Sequence, residues 1–177
     1  MPSIDIRPLS ATPETCAALS ELLIDVVARG GSVGFMHPLR FEAAQAFWYG
    51  ALDAAERGAR IVLGAYNGEH LVGTVSLLLE CPPNQPHRAE IAKMMTRASH
   101  RGRGIASMLL RAAEALAMRH RRSLLVLDTA ADEGAAGFYE KHGYVRVGEI
   151  PDFALKPHGG LTGTIVFWKR VAYEAAA

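Results

Sequence analysis

Residues 94–118 read MMTRASHRGRGIASMLLRAAEALAM, and this stretch decides the fold. Its first residues are apolar and predict the end of a strand. The RGRG segment at residues 101–104 predicts a tight turn, because its two glycines can adopt a positive φ. From Ile105 onward apolar residues recur at helical spacing, which predicts a long amphipathic helix. The stretch therefore predicts a strand, a glycine-rich turn and a helix in direct succession.

The predicted junction of turn and helix is a candidate site for an anion. The first amides of a helix have no partner inside it, and the helix dipole adds positive charge at the same end. Arg101 and Arg103 would add two fixed positive charges beside these amides. We expect a phosphate group as the ligand. The candidate residues are Arg101, Gly102, Arg103, Gly104, Ile105 and Ala106.

Two common nucleotide-binding motifs do not account for this turn. The P-loop string G-x-x-x-x-G-K-[ST] is absent from the sequence. A dinucleotide-binding turn follows the first strand of its domain, whereas half of this chain precedes the turn. The phosphate would therefore belong to another kind of ligand.

Upstream of this stretch the sequence predicts two helices and four strands. Thr12-Pro13 is typical of a helix start, and Asn67-Gly68 between two apolar runs predicts a hairpin. Prolines interrupt residues 81–86. The predicted helices begin at Thr12 and Phe41, and the predicted strands are residues 4–9, 60–66, 71–80 and 88–96.

Downstream, residues 123–129 (SLLVLDT) form a near-continuous apolar run, which predicts a strand buried on both faces, as parallel strands are. The strand before the turn, the long helix and this strand would form a right-handed parallel crossover. A short helix over residues 132–142 and strands over residues 144–150 and 161–171 complete the chain. We predict a single α/β domain spanning residues 1–177.

The composition is that of an ordinary globular protein, with 177 residues of which 50% are hydrophobic and 21% charged. The formal net charge of +1 argues against a nucleic-acid or membrane partner. Cys16 and Cys81 form no C-x-x-C motif, so we expect neither a disulfide framework nor a metal site. No signal peptide and no apolar run of about 18 residues is evident. We expect a cytoplasmic monomer or homodimer.

Two connections are candidate walls of a substrate pocket. Residues 30–40 (GGSVGFMHPLR) are unusually apolar for an exposed loop, and residues 151–160 (PDFALKPHGG) also predict a loop. The alternative for residues 30–40 is a connection that simply packs against the core.

Two motifs now identify a family resemblance. The string R-x-x-G-x-A occurs at Arg101, Gly104 and Ala106, directly after a strand and before a helix, and FYEKHGY follows at residues 138–144. The chain resembles the GNAT acetyltransferase superfamily in both motifs and in the order of its elements. The resemblance implies a mixed, mostly antiparallel sheet of about seven strands, with a V-shaped splay between two parallel strands and helices on both faces. It also implies acetyl-CoA as co-substrate and no metal.

The same resemblance assigns a cofactor-binding role to eleven residues. Amides of the glycine turn would hold the pyrophosphate, and main-chain groups of Met94 and Thr96 would bind the pantetheine arm like an added strand. Asp132 stands where many family members have Asn, so a helix N-cap is the alternative for it. The cofactor-binding candidates are Met94, Met95, Thr96, Arg101, Gly102, Arg103, Gly104, Ile105, Ala106, Asp132 and Phe138.

Two carboxylates are candidates for the general base that an amine nucleophile needs. On a regular strand Glu90, Ala92, Met94 and Thr96 share one face, which would point Glu90 toward the thioester. Asp128 ends a predicted buried strand, where sites of α/β proteins cluster. The alternatives are a surface strand carboxylate for Glu90 and a helix or turn cap for Asp128.

Tyr139 is the candidate general acid, because a phenol beside the sulfur could protonate the departing thiolate. The alternative is an ordinary core tyrosine next to Phe138. Neither cysteine lies in a motif, so we expect direct transfer without an acyl-cysteine.

Residues 30–36, 88–95, 124–129 and 138–154 more closely resemble the tabtoxin-resistance acetyltransferases of that superfamily, which acetylate the amino group of a β-lactam amino-acid toxin. This resemblance implies a small-molecule amine as acceptor, such as an amino-acid-like toxin or antimetabolite. The alternatives are a protein or peptide amine, or a CoA-binding sensor without catalysis.

Overall fold

The structure is a computed structural model that describes residues 4–172. It contains one seven-stranded sheet and four α-helices in that range. The strands are β1 (Ile4–Pro8), β2 (Arg60–Asn67), β3 (His70–Leu78), β4 (Arg88–Thr96), β5 (Leu124–Ala130), β6 (Val145–Leu155) and β7 (Leu161–Arg170). The helices are α1 (Pro13–Ala28), α2 (Phe41–Glu56), α3 (Ile105–Arg119) and α4 (Ala136–Lys141).

The strand order in the sheet is β1-β2-β3-β4-β5-β7-β6. All neighbours are antiparallel except β4 and β5, which are parallel. Their pairing covers only three positions, from Arg88 opposite Leu124 to Glu90 opposite Val126. Beyond Glu90 the two strands separate and leave a V-shaped opening in the middle of the sheet. The predicted mixed sheet with a splay between two parallel strands is confirmed.

Helices cover both faces of the sheet. The first core lies between α1, α2 and one face, and it includes the fully buried Trp48 and Leu23. The second core lies between α3, α4 and the other face, and it includes Leu109 and Phe167. Burial of each such large apolar side chain stabilises the fold by roughly 1.5–3 kcal/mol relative to exposure. The helix boundaries follow local signals, since Thr12 caps α1 by accepting a hydrogen bond from the Thr15 amide at 3.1 Å.

A β-bulge interrupts β4 at the point where the sheet opens. Met95 pairs with Thr74 and Ala92 with Ser76, so two β4 residues stand opposite one β3 residue, and Lys93 adopts a φ of 51°. The bulge reverses the alternation of side chains along the strand. Ala89, Ile91 and Met94 pack in the core beneath α3, and Met95 packs in the core of α1 and α2. Alternation therefore places Glu90 and Ala92 toward α1 and α2, and Met94 and Thr96 toward α3. The expectation that these four residues share one face is therefore wrong.

The glycine turn is separated from β4 by a short 3-10 turn at Ala98–His100, rather than following it directly. Gly102 and Gly104 adopt φ values of 74° and 77°, as the sequence predicts for this turn. Gly104 is the N-cap residue of α3. The predicted amphipathic helix is confirmed, with its buried face formed by Ile105, Leu109, Leu110, Ala113 and Ala117.

Three expectations for the carboxyl-terminal half need correction. β5 is not buried on both faces, because only Leu125 and Leu127 are buried and Asp128 is exposed. The helix expected over residues 132–142 is restricted to α4, since a turn follows β5. Residues 151–155 are not loop, because β6 continues through Leu155 and only residues 156–160 form the turn to β7.

Candidate active site

A continuous groove runs along the open edge of β4. It consists of three adjoining cavities of about 280, 270 and 290 Å³. The first and second share Met94 and Tyr139 in their walls, and the second and third share Thr96 and Phe138. We call them the acceptor cavity, the middle cavity and the turn cavity. The groove therefore connects the glycine turn with the opening between β4 and β5.

The turn cavity offers free backbone donors. The amides of residues 102–107 donate no hydrogen bond to any acceptor among residues 4–172. A Cβ atom on Gly102 or Gly104 would meet nothing within 4 Å, so both glycines border open space. Amides with no partner at a helix N-terminus form a ready site for an anion. The cavity is lined by Thr96, His100, Arg101, Gly102, Gly104, Ile105, Ala106, Ser107 and Phe138.

The predicted cofactor-binding residues are distributed unevenly over the groove. Nine of them line the middle or turn cavities, namely Met94, Met95, Thr96, Arg101, Gly102, Gly104, Ile105, Ala106 and Phe138. Arg103 belongs to the turn but lines neither cavity. Along the middle cavity, β4 has no pairing partner on its β5 side, so its backbone groups on that edge are available to a ligand.

Asp132 is a predicted cofactor-binding residue that lines none of the three cavities. Its carboxylate accepts hydrogen bonds from the Thr162 hydroxyl at 2.6 Å and from the Lys156 ammonium at 3.0 Å, and both lower the pKa of Asp132. It does not cap α4 either, because Ala135 holds that position. Asp132 thus ties the β5–α4 turn to the β6–β7 hairpin.

The two candidate bases meet in the acceptor cavity. Val126 on β5 stands opposite Glu90 on β4, and Asp128 follows two residues later, on the same face of the sheet and past the point where the strands part. Glu90 lies 3.9 Å from an Arg88 guanidinium nitrogen, and its side chain is 38% exposed. Asp128 accepts a 2.7 Å hydrogen bond from the hydroxyl of Thr164. Neither is a distant surface group, since both line the same cavity.

Tyr139 reaches the groove from the opposite side of the sheet. It packs in the α3 core against Phe138, Tyr144 and Phe167, and it lines both the acceptor and the middle cavities. Burial, together with the negative charge of Asp128, raises the pKa of Tyr139 to about 12. The phenol is therefore protonated at neutral pH. Tyr139 lies on the α3 side of the sheet, and Glu90 and Asp128 lie on the other side. The V-shaped opening between β4 and β5 allows all three to line one cavity.

Lys93 is a residue of the acceptor cavity that the sequence reasoning missed. Burial lowers its pKa, although the negative charges of Asp128 and Glu90 oppose that effect. Its ammonium nitrogen lies 5.8 Å from the centre of the Phe47 ring. The signal in the sequence was a lysine among the apolar residues 91–95. Its direction into the cavity depends on the bulge in β4.

Both predicted pocket walls contribute to the acceptor cavity. Ser32, Val33 and Gly34 line it from the loop after α1, and residues 153–155 line it from β6. The two walls are braced against each other, because the His37 and His158 rings lie 4.5 Å apart and the His37 amide donates to the Pro157 carbonyl at 2.9 Å. The cavity is therefore bordered by two segments that are far apart in sequence.

Two features are absent from the described part of the chain. None of the helices within residues 4–172 has the length and apolarity that a membrane crossing requires. In the same range no cluster of three or more His, Cys, Asp or Glu side chains is arranged to hold a metal ion.

Comparison with known proteins is consistent with this architecture. The structure is similar to that of a Salmonella typhimurium protein, yncA, described as an acetyltransferase and solved with its cofactor acetyl-CoA, at a TM-score of 0.77 and 19% identity, over 98% of this chain and 96% of that one. It is also similar to a ribosomal-protein-alanine N-acetyltransferase from Brucella melitensis, at a TM-score of 0.79 and 20% identity, over 94% and 99% of the two chains. A protein described as a phosphinothricin N-acetyltransferase gives a TM-score of 0.75 at 18% identity, over 96% and 99%.

These similarities show the fold. The last two proteins are named for different acceptors, a ribosomal-protein alanine in one case and phosphinothricin in the other. The family assignment rests on the sequence itself. Residues 24–144, more than half of the chain, match the model of the acetyltransferase (GNAT) family. This range contains the open strand, the glycine turn, both candidate bases and Tyr139. The protein belongs to the acetyltransferase (GNAT) family.

Proposed function

We propose that this protein transfers the acetyl group of acetyl-CoA directly to the amine of a small molecule. The observation that carries the proposal is the continuous groove, which begins at free amides and ends between two carboxylates and a protonated phenol. Each part of the groove suits a different part of the reaction. The amides suit a pyrophosphate, the open β4 edge suits an extended pantetheine arm, and the acceptor cavity suits the amine.

The residues at the turn fit the proposed co-substrate. Amides at a helix N-terminus bind phosphate oxygens through charge-assisted hydrogen bonds of roughly 1.5–3 kcal/mol each. Gly102 and Gly104 leave space for such a group to approach the backbone, and Arg101 lines the same cavity. Acetyl-CoA would supply an acyl thioester that is open to attack by an amine. In our proposal Met94, Thr96 and Phe138 orient the arm along the middle cavity.

Glu90 and Asp128 supply the base in this proposal. An alkyl amine with a pKa of about 10.4 is neutral in only about one molecule in 10³ at pH 7. A carboxylate that accepts the surplus proton, directly or through water, raises the fraction able to react. The Thr164 hydroxyl holds Asp128 in place, and Arg88 lies beside Glu90. Both carboxylates therefore have a neighbouring polar group and line the cavity.

Tyr139 donates a hydrogen bond to the departing thiolate in this proposal. Its raised pKa of about 12 keeps the phenol protonated under ordinary conditions, so it can act as a donor. It lines both cavities on either side of the point where the amine and the thioester would meet. Burial in the aromatic cluster fixes the ring, which favours a defined hydrogen-bond direction.

A small acceptor suits the size of the acceptor cavity. The volume of about 280 Å³ is close to the lower end of ordinary small-molecule sites. The resemblance of residues 88–95 and 138–154 to tabtoxin-resistance acetyltransferases supports an amino-acid-like acceptor. We therefore propose a role in acetylating amino-acid-like toxins or antimetabolites.

A thiol-release assay tests this function. The purified protein is incubated with acetyl-CoA and a panel of amino acids, small primary amines and peptides with free amino termini. Acetyl-CoA hydrolysis without amine serves as the blank, and calorimetry measures CoA affinity separately. Turnover that is highest on small amines supports the proposal. Turnover on peptides alone would indicate a protein acetyltransferase, and tight CoA binding without any turnover would indicate a sensor.

A further inference from the structure

Lys93 occupies an unusual backbone position beside the two carboxylates. It lies in the β4 bulge with a φ of 51°, a conformation that costs free energy for a residue with a side chain. The bulge turns its side chain into the acceptor cavity, between the loop after α1 and α2. Its Nζ atom would lie 3.5 Å from a Cβ atom placed on Gly34. The ammonium group is thus held at the cavity wall that carries Gly34.

The ammonium of Lys93 has no protein anion as a close partner. Within residues 4–172, no carboxylate oxygen lies within 4.0 Å of it, and it donates no hydrogen bond there. Lys156 and Lys169, by contrast, pair with Asp132 and Glu114 at 3.0 and 2.8 Å. A partly desolvated cation without a counter-ion is costly, and the Phe47 ring compensates only in part.

The neighbouring carboxylates have other partners. Thr164 donates to Asp128, and Arg88 lies 3.9 Å from Glu90. Lys93 is therefore not needed to hold either of them in place. The cavity wall combines an acidic side, formed by Glu90 and Asp128, with one free cation near Gly34 among the described residues. This pattern is complementary to a molecule with an amine at one end and an anion at the other.

We propose that Lys93 binds an anionic group of the acceptor, a carboxylate or a similar small oxyanion, while the acceptor's amine lies between Glu90 and Asp128. The inference rests on the proposed acetyl transfer and adds the residue that selects the acceptor. Lys93 is a specificity residue in this assignment. Attraction between unlike charges in a partly desolvated site accounts for the selection.

Matched acceptors and a matched variant test the assignment. Each acceptor carboxylate is compared with its carboxamide, using amino acids and the corresponding amino-acid amides, and kcat/KM is measured by thiol release. Lys93→Met keeps most of the length of the side chain and removes the charge. We expect the ratio of kcat/KM values, carboxylate over carboxamide, to fall by about 30-fold or more in the variant. Comparing ratios removes the intrinsic difference in amine reactivity between the two acceptors.

Lys141→Met is the control, because Lys141 is an exposed lysine outside the groove. Unchanged CoA affinity and circular dichroism show that Lys93→Met is folded, and Lys93→Arg is expected to retain part of the preference. An equal loss on both acceptors, or no change in the ratio, overturns the assignment and leaves the acetyltransferase activity standing. Absence of turnover by the unmodified protein on every amine removes the proposed function and this assignment with it.

Discussion

The Thr164 hydroxyl donates a hydrogen bond of 2.7 Å to Asp128, and it also lies 3.2 Å from the Thr129 carbonyl oxygen. A hydroxyl has one proton, so the shorter contact to the charged oxygen takes it. The bond crosses from β7 to β5, next to the point where β5 leaves β4. Thr164 is buried, and this bond holds the Asp128 carboxylate in a defined orientation at the cavity.

Thr164→Val should lower kcat on the order of 10-fold and change KM for acetyl-CoA little. Valine has a similar shape but cannot donate, so Asp128 loses its orientation. Steady-state kinetics with both substrates varied measure the split. Thr162→Val is the comparison. Thr162 lies on the same strand as Thr164, and its hydroxyl donates a similar hydrogen bond to Asp132 instead of Asp128. Equal losses in both variants would trace the effect to β7 packing instead.

Glu90→Gln should lower turnover least near the amine pKa of about 10.4 and most at neutral pH. Few amine molecules are neutral there, so a base on the enzyme makes the largest difference. We expect a loss of about 10²–10⁴-fold, measured as kcat/KM across the pH range. Asp128→Asn measured in parallel shows which carboxylate dominates. A pH–rate profile identical to that of the unmodified protein would exclude Glu90 as the base.

Tyr139→Phe should slow transfer by about 10²-fold without weakening CoA binding. Since the pKa of Tyr139 is raised to about 12, the phenol stays protonated below roughly pH 11, and we expect no loss of activity from its ionisation in that range. Stopped-flow thiol release and calorimetry measure the two effects. Tyr144→Phe alters a buried phenol of the same aromatic cluster that lines none of the three cavities. Full activity of Tyr139→Phe would show that Tyr139 only packs in the core and takes no part in the transfer.

Gly104→Asp should abolish CoA binding, because it places a carboxylate against the phosphates at the turn. The change also introduces a side chain at a φ of 77°. Gly58→Asp is a matched control, since Gly58 has a φ of 78°, open space around its Cβ position and no place in the groove. Calorimetric titration with CoA compares the two variants. Retained affinity in Gly104→Asp would contradict the assignment of the turn.

Lys93→Met should raise the melting temperature at pH 7, on the order of 2 °C. The folded state lowers the pKa of Lys93 below its unfolded value, chiefly through burial, so the charged form opposes folding. That penalty is fully present below the folded pKa and vanishes above the unfolded pKa of about 10.4. The gain should therefore shrink as the pH rises toward that value. A gain that is independent of pH would show that charge is not its cause.

Local signals in the chain were sufficient for most of the fold. Alternating and helical hydrophobic patterns placed all seven strands and four helices, and Asn67-Gly68 marked the hairpin. The expected extent of β6 was wrong because Pro151 and Asp152 read as a loop, whereas pairing with β7 resumes at Ala154. Edge strands tolerate such residues, since one side of the strand needs no partner.

The sequence predicts the individual residues of the candidate site but not how they are arranged in space. Glu90, Asp128 and Tyr139 were chosen from the sequence, and the structure brings all three to one cavity. Glu90 does not share a face with Met94 and Thr96 as expected, because the bulge at Lys93 reverses the side-chain alternation after Ala92. A bulge depends on how two strands pair, so one strand's sequence alone does not reveal it.

Residues close together in the chain set the order of elements, the amphipathic faces and the glycine turn, so the sequence predicts all three. Pairing and packing between separate segments set where β4 and β5 separate, which residues line the acceptor cavity and where Lys93 points. Those features depend on contacts between residues 16 to 130 positions apart, such as Ser76 with Ala92, Asp128 with Thr164 and Ala28 with His158. The glycine turn thus forms one end of the groove. Packing between distant segments determines which side chains line the acceptor cavity at the other end.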